Sequence, residues 1–219
     1  MSDVAQPKVS PPVLPELFAT PAASLEPQDL REGERITGQG LTRLDATRAT
    51  IRLCEVLLTG IGELTLDHSR LIDSWLRDPE IATLAAPEST WRGVAVDGGR
   101  LGVLEAPASH WDGAVVTAIR VGFLNLRDAT VGDVRLDGCR IDTLDLSGAT
   151  VTRLSLAGCT IGELLVSRAR LADVDLRGAE MSRIDDATAL AGAVVSPTQL
   201  LDLAPLLAAA LGIRVQADD

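Results

Sequence analysis

One apolar residue recurs at every fifth position from Ile36 to Met181 without a slip. The series runs Ile36, Leu41, Ala46, Ile51, Val56, Ile61 and so on through Leu171, Leu176 and Met181, thirty positions in all. With 46% apolar residues, chance fills thirty chosen positions about once in 10¹⁰. Neither a helix (period 3.6) nor a flat strand (period 2) makes such a pattern. Two residues before each of these centres, size alternates. Ala129, Cys139, Ala149, Cys159, Ala169 and Ala179 are small, whereas Val134, Leu144, Leu154, Leu164, Val174 and Ile184 are large. Alternating sizes let neighbouring sides of a coil interdigitate at core density. A third beat has a period of twenty: APESTWRG begins at Ala86 and APASHWDG at Ala106. A 20-residue turn of four five-residue sides explains all three beats. The predicted fold is an all-β solenoid, a right-handed quadrilateral β-helix of about 7.5 coils and about 36 Å at ~4.8 Å per rung. Trp91 then stacks on Trp111, each beside a small Ala86 or Ala106 that compensates its volume.

The periodic stretch divides the chain into three. Residues 1–35 hold six of the 11 prolines and read as a largely disordered lead-in, with Leu14, Leu17, Phe18, Leu25 and Leu30 available to dock on the first coil. Residues 36–190 are the β-helix. Residues 191–219 are a helical cap and tail: Ser196 is placed as N-cap, Pro197 at the first helical position and Gly212 as a stop. Pro205 is expected to kink or split that helix. Its dense leucines predict burial, and homodimerisation through Leu200, Leu203, Leu206, Leu207 and Leu211. An end cap is required because an open solenoid end exposes core and strand edges.

Charge narrows the function classes. The net charge is −11, and Lys8 is the only lysine. Direct nucleic-acid binding is disfavoured on that balance. No stretch approaches the ~20 apolar residues of a membrane span. The polar start and three sparse cysteines predict a reduced, cytoplasmic protein.

The pentads LSGAT at Leu146, LAGCT at Leu156 and LRGAE at Leu176 resemble those of pentapeptide-repeat proteins, and the ending resembles that of actinobacterial members. The resemblance covers about 36 to 215 and is specific for the fold, not for a function. Residues here depart from the family pattern: Thr130, Arg140, Thr150, Thr160 and Arg170 replace the usual Asp/Asn before the centre. The best-known members inhibit or protect DNA gyrase by imitating B-DNA, dimerise through a C-terminal helix and, where they protect against quinolones, carry projecting loops. The unbroken register leaves no room for such a loop between 36 and 186.

Stacking residues 20 apart arranges the charges. Residues 36–186 carry 22 Asp/Glu and 16 Arg, with signs mixed. Arg100, Arg120 and Arg140 form a ladder, with Asp97, Asp137 and Asp142 near enough in register to neutralise it. The column Asp133, Arg153, Asp173 alternates sign. The ladder is therefore either a self-paired surface or a site for an anion or acidic partner. No catalytic, cofactor or metal residues stand out. His68 and His110 fall on outward positions; Cys139 and Cys159 share a column whose spacing permits a disulfide, yet fill a slot that Ala takes elsewhere. The expectation is a non-catalytic protein without cofactor, a rod that binds another protein. DNA gyrase, approached by DNA mimicry, is the alternative partner.

Overall fold

The computed structural model describes residues 4–214 and 216. The chain winds into a right-handed quadrilateral β-helix. One turn shows the plan: Thr90–Arg92 and Ala95–Asp97 form two sides, and Arg100–Glu105 supplies the other two across a bend at Gly102. Every strand pairs in parallel with its equivalent one turn away, as in Trp91↔Trp111, Val96↔Val116 and Leu101↔Val121. The pairings form a 15-stranded and an 8-stranded sheet. There are about nine turns, more than the 7.5 expected, because the coil begins before Ile36 and ends after residue 190. Phe18–Pro21 and Leu30–Glu32 form the first rungs, and Ala193–Val194 forms the last.

Twenty-seven of the thirty periodic centres are buried; Leu41, Leu171 and Met181 are half-buried against the core. Three of the four corners use a left-handed residue, for example Asp73, Gly93, Gly113 and Asp133 in one column. Asp tolerates that backbone and Gly adopts it freely. Trp91 and Trp111 stack with centroids 4.5 Å apart and planes 4° from parallel. Each indole donates to the serine two residues before it, Ser89 at 2.8 Å and Ser109 at 2.9 Å. These serines are 1% exposed, and their hydroxyls donate on to the carbonyls of Ala86 and Ala106. The small inward slot thus also serves as a polar handle for a buried indole.

The lead-in differs from its expectation. Residues 4–17 form a strap that runs the length of one face of the rod, instead of a disordered tail. Ala5 N–H donates to Asp173, the Gln6 amide to Asp175 (3.0 Å) and Lys8 N–H to Asp133 (2.8 Å). The Trp75 indole donates to Pro12 O at 2.8 Å. The strap then enters the first strand at Phe18, after which Ala22 and Leu25 are buried against the open N-terminal end.

At the other end a 3₁₀ turn, Ala187–Leu190, precedes helix α1, Pro197–Ala210. Ser196 and Gln199 form a capping box. Gln199 also donates to Leu176 O and Ala179 O, covering the last coil's carbonyls at 2.7 and 2.8 Å. Two expectations are corrected here. Pro205 does not split α1, which runs without a break from Pro197 to Ala210; Pro205 lies on an exposed part of the helix. The leucines are not uniformly buried: only Leu203 is, while Leu200, Leu201 and Leu206 are 50%, 75% and 44% exposed. No helix among the described residues is long and apolar enough to cross a membrane.

Replacing Trp91 by Ala should lower unfolding free energy by ~3–5 kcal/mol, because a fully buried ring is lost and its stacked partner keeps an empty side; denaturant titration checks this. Asp133 is held down to about 2, first by Arg153 and then by the backbone amide of Lys8. A depressed carboxyl stabilises above its unfolded value and ceases to do so as pH falls through the folded one. The melting-temperature gap between wild type and Asp133→Asn should therefore shrink between about pH 4 and pH 2.

Candidate functional site

The ladder Arg100, Arg120, Arg140 lies on the strands Arg100–Glu105, Arg120–Asn125 and Arg140–Asp145. Register places the three side by side, with Glu80 below and Thr160 above. All three are exposed. At ~4.8 Å per rung the cations span ~10 Å. Among the described residues none of their side chains makes a hydrogen bond or ion pair. The expected neutralisation does not occur: Asp97 is taken by Arg77 at 3.1 Å, and Asp137 and Asp142 form no ion pair with the ladder. Elsewhere cross-rung pairing is regular, as in Arg35–Glu55 at 2.6 Å, Arg43–Glu63 at 2.8 Å and Arg153–Asp133 at 2.6 Å.

A groove runs beside the cations, lined by Gly102, Gly122 and Asp142. These glycines have no left-handed backbone; they sit at the bend where the ladder pairing skips a residue. A Cβ at Gly102 would strike the Ala82 carbonyl oxygen, and one at Gly122 that of Gly102. Without a Cβ at these two positions, the floor beside Arg100 and Arg120 is bare backbone. Leu101 and Val121 supply the apolar part of its lining. Guanidinium forks match carboxylate or phosphate oxygens two at a time. Each neighbouring pair of like charges repels by roughly 1 kcal/mol in water, so an anion in the groove relieves repulsion as well as gaining contacts.

The remaining candidates hold no comparable arrangement. His68 Nδ1 lies 2.6 Å from Asp67 and its Nε2 3.3 Å from Glu88, at an exposed corner without a nucleophile. The Glu88 partner escaped the sequence reading, although it stands 20 residues on and the stacking rule reaches it. His110 stacks between Thr90 and Thr130. Cys54, Cys139 and Cys159 are free and buried. The neighbouring Cys139 sulfur and burial push the Cys159 thiol up. Among the described residues no group of three or more His, Cys, Asp or Glu is placed to hold a metal. Of the dimerisation leucines, Leu200, Leu206 and Leu211 are exposed, Leu207 is half-buried, and Leu203 packs against its own rod.

Replacing Arg120 by Gln should raise the melting temperature at low salt and lower its dependence on added pyrophosphate; thermal scans with and without that anion check both.

No family model matches the chain, and no curated protein does. Solved structures resemble it distantly. Full-length QnrB1, a plasmid-mediated fluoroquinolone resistance protein, is 17% identical with a TM-score of 0.42 over 89% of this chain and 95% of that one. HetL, a pentapeptide-repeat protein involved in heterocyst differentiation regulation from the cyanobacterium Nostoc sp. strain PCC 7120, is 13% identical with a TM-score of 0.27 over 74% and 88%. At these values the likeness carries no functional argument. The architecture rests on the chain's own parallel ladder and five-residue beat, which make it a right-handed quadrilateral β-helix of pentapeptide repeats.

Proposed function

We propose that this chain is a non-catalytic pentapeptide-repeat protein, of actinobacterial type, that works as a rigid protein-binding rod. Its binding face is the groove beside Arg100, Arg120 and Arg140, and its partner presents carboxylates. The observation that carries this reading is the absence, among the described residues, of partners on three stacked arginines in a chain of net charge −11. An acidic protein that leaves three adjacent cations unpaired keeps a repulsion that a docked acidic segment removes. Changing all three to Ser should abolish binding of an identified acidic partner; unchanged affinity would sink the idea.

DNA mimicry directed at DNA gyrase has less support. Net charge and rod shape favour it, but a mimic needs a continuous acidic stripe. Here no column of residues spaced by twenty stacks three carboxylates on successive rungs, and cross-rung arginines neutralise several of those present. A supercoiling assay with purified protein separates the readings: inhibition or drug protection at micromolar protein supports mimicry, and no effect removes it.

The homodimer belongs to the same proposal. The exposed apolar surface of α1, with Leu200, Leu201, Leu206 and Leu211 at 50%, 75%, 44% and 71% exposure, supports pairing of two caps. Light scattering should give a dimer that Leu201→Asp with Leu206→Asp converts to a folded monomer. Leu203 is unsuited to this test because it holds the cap to its own rod.

A further inference from the structure

A solenoid's coils touch only their neighbours, yet this one carries a segment that touches coils at both ends. Residues 5 and 6 bond Asp173 and Asp175, Lys8 bonds Asp133, and Pro12 accepts from Trp75. From the rung of Asp175 to that of Ala19 there are eight rungs in register, or ~38 Å. Fourteen residues of polyproline II at ~3.1 Å each span ~43 Å. The segment is therefore extended along its whole course. Pro7, Pro11, Pro12 and Pro15 favour that conformation before it docks.

The way it docks resembles a ligand more than a structural element. It makes no backbone ladder with the rod; its anchors are side chains of the rod reaching its backbone, plus one amide. Its rod-facing residues are Val4, Pro7, Val9, Pro12, Leu14 and Leu17, buried or half-buried, with the intervening residues mostly exposed. Residues 9–11 cross the rungs of Ala95 and Val115, which are 1% and 4% exposed although they point outward. The ladder beneath is complete without the strap, running unbroken from Glu55 to Trp75, Ala95 and Val115. The contact at Asp133 is made by the backbone: Lys8 N–H donates to the carboxylate, which Arg153 also holds. The fit is also incomplete, since the Arg135 Nε between Val115 and Ser155 is buried without an acceptor.

We infer that the Trp75–Ala95–Val115–Asp133–Asp175 face is a binding surface for extended, proline-containing protein segments, on which the chain's own residues 4–17 act as a detachable intramolecular ligand. The external partner has the same chemistry: apolar side chains spaced by turns two and three residues apart, a free backbone N–H opposite Asp133 and, for tighter binding, a carbonyl or carboxylate opposite Arg135. This face is distinct from the arginine groove, so failure of either site leaves the other standing.

The probe is a labelled peptide with the sequence of residues 4–17, titrated by fluorescence anisotropy against the full chain. In the wild type the tethered strap competes at high effective concentration. The full chain with Val4→Asp, Val9→Asp and Leu14→Asp should bind the peptide at least about tenfold tighter than wild type. Adding Asp133→Asn to that variant should reverse most of the gain. A detached variant with native circular dichroism that binds no tighter, or that binds a scrambled peptide equally, overturns the proposal. Hydrogen exchange on the wild type tests it without mutation. Strap amides should exchange at least about tenfold faster than those of Trp75–Arg77; equal protection would show a permanent element and overturn it.

Discussion

Everything in this molecule follows from one constraint: each turn must close in 20 residues so that parallel backbone bonds meet in register one rung up. Once that ladder is set, each residue of the repeat lies over the residue 20 places before it. Apolar centres form continuous columns, Trp91 meets Trp111 face to face, and the serines that hold their indoles repeat with them. Packing is thus solved once and copied, which explains a core with few aromatics.

The same rule that stacks like on like is favourable for apolar groups and unfavourable for charges. The chain resolves the conflict by alternating sign up several columns, as in Arg153 over Asp133 and Arg77 under Asp97. At Arg100, Arg120 and Arg140 it does not. The floor beside Arg100 and Arg120 is bare backbone, without a Cβ at Gly102 or Gly122.

Ends and edges need devices outside the repeat. Gln199 closes the carbonyls of the last coil while fixing the start of α1. Ala22 and Leu25 close the first coil. The strap joins both ends across sequence separations of 168 and 169 residues, adding long-range contacts to an architecture otherwise built from nearest neighbours.

The sequence by itself determined the coil, its four sides, the inward residues, the paired indoles and the cap signals at Ser196, because each is a property of short-range spacing repeated many times. Periodicity makes those features legible without any knowledge of distant contacts. Three things were decided only in the tertiary structure. The lead-in follows the rod because Asp133, Asp173, Asp175 and Trp75, scattered over a hundred residues, converge on one face. Among the described residues the arginine ladder stays unpaired because Asp97 pairs with Arg77 and neither Asp137 nor Asp142 forms an ion pair with it, an outcome set by side-chain reach and not by spacing. The leucines of α1 divide into one that holds the rod and several that face outward, because helix orientation on the last coil, not composition, determines which stripe is buried.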